Sequence, residues 1–486
     1  MAALAEGLRL LNQADPCVEI MMQETGEQVI LCAGELHLER CLKDLRESFA
    51  KIDIQVSPPI VPFRETISDA PSIVPAQQAQ QFGAPKADTD EPTTKEHLPL
   101  GTIILHTPNK LATVRVRALP VPTRITDFLN KESQTVRAAV DERDRSGGEG
   151  AGGESGTVGD AFIERLDAVV KEAVAEGEVQ DREFWGGAVE RIWAFGPKRV
   201  GPNLLVNGMK DYSRPLWSKA SASRPSRQRT HSTQPGDAEE VDDVDVISEV
   251  EQAIADVSIG DVDVGNARRG TTVKEYDGNI NTGFQLSTFV GPLCGEPVVG
   301  VCYVVEDVSL DIGEDVDSTK LGLLSGQIIS TVKEACRQAF LAYSPRLMLA
   351  MYSCDLQAPA EVLGKVYAVL ARRRGRILSE EMKEGTPFFN IRSMLPVVES
   401  FGFSDDIRKR TSGAASPQLI FSGFEILDQD PFWVPTTEEE LEDLGEKADR
   451  ENLAKKYMES VRKRKGMAVE KKIVEHAEKQ KTLKNK

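Results

Sequence analysis

The chain has 486 residues, a formal net charge of −18 and a hydrophobic content of 40%. This length predicts about two to four domains, and the hydrophobic content is sufficient for their cores, which excludes a wholly disordered protein. The acidic balance argues against a general nucleic-acid coat protein, although a net value does not show where the charges lie.

The sequence also argues against a membrane-spanning protein and against a protein of an oxidising compartment. No apolar run approaches the ~20 residues that a membrane-spanning helix requires, and the N-terminus lacks the charged-then-apolar pattern of a signal peptide. The seven cysteines include no Cys-x-x-Cys pair, which argues against a disulfide framework and against structural zinc. We therefore expect a protein of the cytosol or nucleus, with no membrane contact and no bound metal.

Residues 1–57 predict a small mixed module. Their hydrophobic spacing indicates a helix, two strands, a second helix and a last strand, over Ala2–Leu11, Cys17–Met22, Gln28–Cys32, Gly34–Phe49 and Ile52–Val56. His37 lies at the start of the second helix, where a packing or hydrogen-bonding role is favoured over a catalytic one.

Residues 58–343 combine regular elements with long insertions. Strands are predicted over Pro58–Ile67, Gly101–Leu119 (interrupted at Thr107–Lys110) and Val298–Ile312, and helices over Asp160–Ala175, Gly278–Val290 and Ser325–Tyr343. Three segments, 68–97, 131–158 and 213–275, are expected to be disordered inserts. The third contains eleven acidic residues and no basic one between Asp237 and Asp263; a docking site for a basic partner is the alternative there.

Residues 344–434 predict strand, helix, strand, strand, short helix and strand, over Arg346–Leu356, Glu361–Arg373, Ile377–Met382, Phe388–Val398, Phe401–Arg410 and Gln418–Leu427. This βαββαβ order is typical of a ferredoxin-like split-βαβ module. Gly375 is expected to end the first helix in a left-handed conformation. Residues 435–486 predict a charged helical tail, suited either to phosphate contacts or simply to solvation.

Catalytic and nucleotide-binding motifs are absent from the sequence. The phosphate-cradling pattern Gly-x-x-x-x-Gly-Lys-Ser/Thr does not occur, and Gly364-Lys365 is followed by valine within a predicted helix. The glycines of Gly291-Pro-Leu-Cys-Gly295 are better explained by a turn. We identify no catalytic, cofactor-binding or metal-binding residue.

Several ordered motifs resemble the elongation factor 2/G family of translational GTPases. They include Asp15-Pro-Cys-Val-Glu-Ile20, Ala33-Gly-Glu-Leu-His-Leu-Glu39, Glu190-Arg-Ile-Trp-Ala-Phe-Gly-Pro197 and Leu395-Pro-Val-Val-Glu-Ser-Phe-Gly-Phe403, followed by Asp406-Ile-Arg408 and Thr411-Ser-Gly413. The resemblance covers domains III, IV and V of that family, over residues 1–57, 58–343 and 344–434.

That resemblance implies an α+β fold. Two ferredoxin-like modules, the first lacking its initial strand, would flank an α/β domain similar to domain 2 of ribosomal protein S5. We expect the first module to be poorly stable alone, because an unpaired strand edge is a liability. The family's GTP and magnesium belong to a nucleotide domain that this sequence does not contain, so we expect no GTP hydrolysis by the chain alone.

One motif separates the chain from the translocases of this family. Their domain IV tip carries a glycine-rich loop with a modified histidine, whereas the corresponding loop here has no histidine and contains Lys320, Gly322, Ser325, Gly326 and Gln327. The inserts and the basic C-terminal stretch instead resemble the elongation factor-like GTPase 1 family.

The resemblance to this second family implies a role in ribosome maturation. Its members act late in cytoplasmic maturation of the large ribosomal subunit and, with the Shwachman–Bodian–Diamond syndrome protein, evict initiation factor 6. GTP-driven rotation of domains would supply the motion. An elongation factor 2-like translocase fragment and a stand-alone ribosome-binding module without enzymatic activity remain alternatives.

Two basic groups are the candidates for contact with ribosomal RNA. They are Arg372, Arg373, Arg374 and Arg376, and Arg408, Lys409 and Arg410. The planar guanidinium of arginine donates two parallel hydrogen bonds to a phosphate. Solvation of helix ends is the alternative role.

Overall fold

The structure is a computed structural model that describes residues 2–22, 28–32, 34–57, 59–68, 99–145, 157–177, 181–209, 273, 275–310, 318–433 and 452–469. Most of the predicted inserts 68–97 and 213–275, the acidic stretch from 237 to 263 and residues 470–486 of the predicted tail lie outside the described residues.

The described residues form a mixed α/β structure with several sheets. The strands are β1 (Glu19–Met22), β2 (Gln28–Leu31), β3 (Phe63–Ile67), β4 (Thr102–His106), β5 (Ala112–Pro120), β6 (Ile192–Gly196), β7 (Asn203–Asn207), β8 (Val301–Leu310), β9 (Pro345–Pro359), β10 (Arg376–Met382), β11 (Phe388–Pro396) and β12 (Ser416–Ile426). The helices are α1 (Ala2–Ala14), α2 (Glu35–Asp44), α3 (Thr123–Lys131), α4 (Ser133–Arg145), α5 (Thr157–Glu176), α6 (Arg182–Trp185), α7 (Asp277–Phe289), α8 (Ser318–Ala342), α9 (Leu363–Arg372), α10 (Phe403–Thr411) and α11 (Leu453–Arg464).

The chain divides into two compact units. The first contains Met1–Pro62 and Leu349–Glu425, and the second contains Phe63–Met348 and Ile426–Lys486. Within the described ranges, no helix combines the length and the apolar character that crossing a membrane requires.

The N-terminal part of the first unit is a small module around one antiparallel strand pair. Strand β1 pairs with β2, with Glu19 opposite Leu31 and Met22 opposite Gln28. Its buried core consists of Leu8, Leu11, Val18, Cys41, Leu45 and Ala50. The predicted strand Ile52–Val56 is wrong, because residues 51–57 form no strand in the described chain. The carbonyl of Ile54 instead accepts a hydrogen bond from Arg46 Nη2 at 3.1 Å; alternation alone does not make a strand without a pairing partner.

The rest of the first unit is a sheet with strand order β10-β11-β9-β12, in the predicted strand–helix–strand–strand–helix–strand sequence. Strand β11 runs antiparallel to both β10 and β9. Helices α9 and α10 supply the other half of the core, which contains Leu356, Val366, Leu370, Ile391, Leu395, Phe403 and Ile407. Glu35 at the start of α2 accepts hydrogen bonds from the Gly402 N–H at 2.9 and 3.1 Å, so the small module is tied to this sheet's helices.

The expected left-handed cap at Gly375 is wrong. Arg374 has the positive φ, 57°, and the Gly375 N–H closes the helix end on the Leu370 carbonyl at 2.8 Å. The space at Gly375 is tight, because a Cβ there would lie 3.0 Å from Leu370 Cδ2.

The second unit contains a five-stranded sheet of order β4-β5-β8-β7-β6. Its pairs are antiparallel except for β7 with β8, which is parallel. Helices α7 and α8 pack together, and α8 lies against β4 and β5. Large side chains fill the core, among them Phe162, Trp193, Phe195, Phe284, Tyr303 and Phe340.

The expectation of a disordered insert over 131–158 is wrong for its first half. Helix α4 covers Ser133–Arg145 and packs against α3 and α5. Val136 is fully buried. One buried side chain in a polar segment is a weak sequence signal, but it fixes the helix against its neighbours.

The described part of the predicted C-terminal tail is a packed helix rather than a solvated one. Helix α11 buries Leu453, Ala454, Tyr457, Met458, Val461 and Arg462 in the second unit. The Tyr457 ring lies 6.0 Å from that of Phe63. Arg462 Nη1 donates to the Leu293 carbonyl at 2.6 Å, and Lys465 Nζ donates to the Gly295 carbonyl at 2.7 Å.

The glycine-containing turn 291–296 binds a carboxylate of the protein itself. Glu65 is fully buried, and its side chain accepts hydrogen bonds from the N–H groups of Leu293 (2.7 Å), Cys294 (2.9 Å) and Glu296 (2.9 Å). Burial raises the pKa of Glu65, and the three N–H donors oppose that rise. Gly291 is required because a Cβ there would lie 2.3 Å from Glu65 Oε2. The turn predicted from the sequence is confirmed.

Candidate nucleic-acid interface

Basic side chains lie at the C-terminal end of α9 and in the last turn of α10 in the first unit. Arg372 lies in the last turn of α9, and Arg408, Lys409 and Arg410 lie in the last turn of α10. Cations are favoured there because the helix dipole places partial negative charge at the C-terminus. The Arg373 hydrogen bond holds the pKa of Asp406 below its ordinary value, and the charges of Arg410 and Arg372 act in the same direction. Arg372 of α9 and Arg410 of α10 therefore both act on the carboxylate of Asp406.

Arg373 serves the fold of the first unit. Its Nη1 donates to the carbonyls of Glu399 (3.1 Å) and Phe401 (2.6 Å), and its Nη2 donates to Asp406 Oδ2 (2.6 Å). Its side chain is only 21% exposed. We therefore assign Arg373 the role of holding α9 to the segment before α10, and not that of contacting a ligand.

Arg376 and Arg408 form exposed ion pairs. Arg376 Nη2 lies 3.0 Å from Glu425 Oε1, and Arg408 Nη1 lies 3.6 Å from Asp405 Oδ1. Exposed pairs of this kind contribute about 0–1 kcal/mol. Both arginines can exchange such a partner for a phosphate at little cost.

Arg372, Arg374, Lys409 and Arg410 are the accessible cations of the group. All four are exposed, and in the described part of the first unit no salt bridge involves them. We name these four residues the basic surface. Three guanidinium groups and one ammonium group that form no salt bridge within the described part of the unit are suited to the phosphates of a nucleic-acid backbone.

The predicted domain IV tip loop is helical. Lys320, Gly322, Ser325, Gly326 and Gln327 all lie in the first part of α8. Leu324 and Ile328 are one helical turn apart, and both are fully buried. That apolar spacing holds the backbone in a helix despite two glycines, each of which costs about 1 kcal/mol relative to alanine.

The hydrogen-bonding role favoured for His37 is confirmed. His37 Nε2 lies 2.7 Å from Asp15 Oδ2. This contact holds the pKa of Asp15 below its ordinary value, and the hydrogen bond from the Cys17 N–H adds to the effect. The sulfur atoms of Cys32 and Cys41 lie close to the same imidazole. Cys-x-x-Cys spacing does not reveal this grouping, because the two cysteines are nine residues apart with the histidine between them.

Two family models match the chain. Residues 346–433, which contain β10 to β12 and the basic surface, match the model of the elongation factor G C-terminus. Residues 117–208, in the second unit, match the model of the elongation factor-like GTPase 1-like domain.

Individual proteins match along the entire chain. Ribosome assembly protein 1 of Schizosaccharomyces pombe is 45% identical over 500 residues, covering 100% of this chain and 42% of the relative. Elongation factor-like GTPase 1 of Homo sapiens is 42% identical over 544 residues, with coverages of 100% and 44%. Ribosome assembly protein 1 of Saccharomyces cerevisiae is 40% identical over 493 residues, with coverages of 100% and 38%. The chain thus spans less than half the length of these relatives.

The two domain matches define the class as that of the elongation factor-type translational GTPases. Within this class, the relatives that match the chain along its whole length are those named elongation factor-like GTPase 1 and ribosome assembly protein 1.

Proposed function

We propose that this chain provides the C-terminal, ribosome-binding part of a GTPase that acts in late cytoplasmic maturation of the large ribosomal subunit. The observation that carries the proposal is the match of the whole chain, at 45% and 40% identity, to relatives named ribosome assembly protein 1. A protein of this role must grip RNA, and the basic surface supplies the cations for it.

In this proposal, Arg372, Arg374, Lys409 and Arg410 contact phosphates of ribosomal RNA. Because the net charge of the chain is −18, attraction to RNA must come from a local group of cations. Arg376 and Arg408 join the contact by leaving their exposed carboxylate partners. Arg373 holds the C-terminal end of α9 against the start of α10.

The units act as rigid bodies in the mechanism that we propose. We infer that the β10-β11-β9-β12 sheet with α9 and α10 is a ferredoxin-like module, and that the sheet containing β4 to β8 is similar to domain 2 of ribosomal protein S5. Their packed cores suit them to transmit a rotation. A GTP-driven switch in a nucleotide domain would turn these bodies on the subunit and, with the Shwachman–Bodian–Diamond syndrome protein, release initiation factor 6.

Co-sedimentation with isolated large ribosomal subunits tests the RNA contact. The double variant Arg372→Glu with Arg374→Glu should bind at least about tenfold more weakly, because it reverses two cations that face phosphate. The matched control is Lys365→Glu with Lys383→Glu, which makes the same change of charge at two exposed lysines of the same unit. Equal binding by the two double variants would contradict the proposed surface.

A release assay tests whether the chain binds large subunits without releasing initiation factor 6. Large subunits carrying initiation factor 6 are incubated with the chain, the Shwachman–Bodian–Diamond syndrome protein and GTP. We expect the chain to bind without releasing the factor, because the driving rotation needs GTP hydrolysis elsewhere. GTP-dependent release by this chain alone would overturn the mechanism.

A further inference from the structure

Three side chains of metal-binding type converge in the small module of the first unit. Cys32 follows β2, while His37 and Cys41 lie four residues apart in α2 and so project from one side of the helix. The two sulfur atoms and an imidazole nitrogen all lie within 4.8 Å of one another.

A carboxylate supports the histidine of this group. Asp15 Oδ2 lies 2.7 Å from His37 Nε2, and Asp15 Oδ1 accepts a hydrogen bond from the Cys17 N–H at 2.9 Å, which fixes the carboxylate in the turn after α1. A metal-bound histidine commonly donates its second ring N–H to a carboxylate in this way. Cys41 is buried, and Cys32 and His37 are half-buried, so the group is sheltered but accessible to an ion.

We propose that Cys32, His37 and Cys41 bind one Zn²⁺ ion, with Asp15 orienting His37 and a water molecule as the fourth ligand. Two thiolates and one imidazole are ligands that tetrahedral zinc prefers. Zinc bond lengths place such ligand atoms about 3.5–3.8 Å apart, so the observed spacing needs only a small side-chain adjustment.

The position of the group gives the ion a structural purpose. It joins the end of β2, helix α2 and the turn after α1, in a module whose buried core contains six residues among those that the structure describes. Small modules with little core often depend on a bound metal for stability. Because Glu35 of α2 binds the Gly402 N–H, fixing α2 also fixes the contact of this module with α10.

Metal analysis of the full 486-residue chain, purified under reducing conditions and supplied with Zn²⁺, tests the site. The unaltered chain should retain about one equivalent of zinc by plasma mass spectrometry, and Cys32→Ser and His37→Gln should lose it. Cys17→Ser is the matched control, because Cys17 is an exposed neighbour outside the group, and it should keep the ion. Asp15→Asn should lower zinc affinity about 10- to 100-fold while retaining the same ligands.

Substitution of Co²⁺ into the unaltered chain gives a second measurement that does not depend on variant folding. Thiolate-to-cobalt charge-transfer absorption and intense visible bands should appear, since two cysteines bind a tetrahedral ion. The proposal is overturned if these bands are absent, if Cys32→Ser and His37→Gln retain as much zinc as Cys17→Ser, or if the reduced, purified chain holds a Cys32–Cys41 disulfide and no zinc.

Discussion

Arg373 lies between Arg372 and Arg374 in the sequence, yet its guanidinium points into the first unit, where three acceptors surround it. Its neighbours are exposed. Three adjacent arginines thus have two different roles. Arg373 supports the fold, whereas Arg372 and Arg374 offer their charge to a ligand. Composition cannot show that division, because it depends on where the carbonyls of Glu399 and Phe401 lie.

The variant Arg373→Ala should destabilise the chain by about 1–3 kcal/mol, because two carbonyls and a carboxylate lose a charged donor. Arg372→Ala, at the adjacent exposed position, should change the free energy of unfolding by less than about 0.5 kcal/mol. Urea denaturation of the two variants measures the difference. Equal stability of both would show that the Arg373 contacts contribute nothing.

The Arg373–Asp406 pair should also make stability depend on pH. The pKa of Asp406 is lowered in the folded chain by the Arg373 hydrogen bond. Its contribution is therefore present above the ordinary aspartate pKa of about 3.9 and is lost as the pH falls through the lower, folded pKa. Asp406→Asn should lower the thermal unfolding midpoint near pH 6, by an amount that shrinks towards pH 3 or below.

Asp405→Asn is the control for this pH profile. Asp405 is 62% exposed and lies 3.6 Å from Arg408, so its replacement should have a small effect at either pH. A deficit for Asp406→Asn that stayed constant down to the lowest pH would exclude the ionised pair as its cause.

At the scale of elements, α11 links the C-terminal stretch to the second unit. Met458 is 1% exposed on its packed side, and Ser460 is exposed. Met458→Ala should cost about 2–5 kcal/mol, because it leaves a cavity, whereas Ser460→Ala should be close to neutral. Chemical denaturation followed by circular dichroism compares them. A neutral Met458→Ala would mean that α11 does not stay packed in solution.

Elements with a strong apolar period were predictable from sequence alone. Helix α9, predicted over Glu361–Arg373, runs over Leu363–Arg372 with Val366, Val369 and Leu370 buried on one face, since that face is a property of its own residues. The strand over Ile52–Val56 depended on a partner, and the tip loop around Gly322 depended on buried Leu324. Both were missed because tertiary contacts decide them.

Tertiary contacts also decide which features of the candidate sites can be predicted from the sequence. The basic residues at the ends of α9 and α10 could be selected from sequence because they cluster locally. Their separation into exposed and structural side chains could not, and neither could the meeting of Cys32 with Cys41. A search for Cys and His at helical spacing around Cys-x₄-His-x₃-Cys would have found that group.

At the scale of the whole molecule, each unit has a buried core of its own. Ile407 in the first unit and Leu205 in the second are both fully buried. We expect two calorimetric transitions, because compact units with separate cores commonly unfold as separate steps. Ile407→Ala should shift one transition and Leu205→Ala the other, each by several degrees. A single transition moved by both variants would show that the chain unfolds as one cooperative body.

The salt dependence of binding shows whether the net charge of the chain or the basic surface governs its encounter with ribosomal RNA. If the net charge of −18 governed the encounter with ribosomal RNA, added salt would screen repulsion and strengthen binding. If the basic surface governs it, salt weakens binding, with about 0.7–0.9 units of logarithmic slope per phosphate contacted. We expect the affinity to fall across a series of KCl concentrations. The slope of log affinity against log salt should be smaller by about 1.5 in the double variant Arg372→Glu with Arg374→Glu than in the control Lys365→Glu with Lys383→Glu. Affinity that rose with salt in the unaltered chain would assign the interaction to some surface other than the ends of α9 and α10.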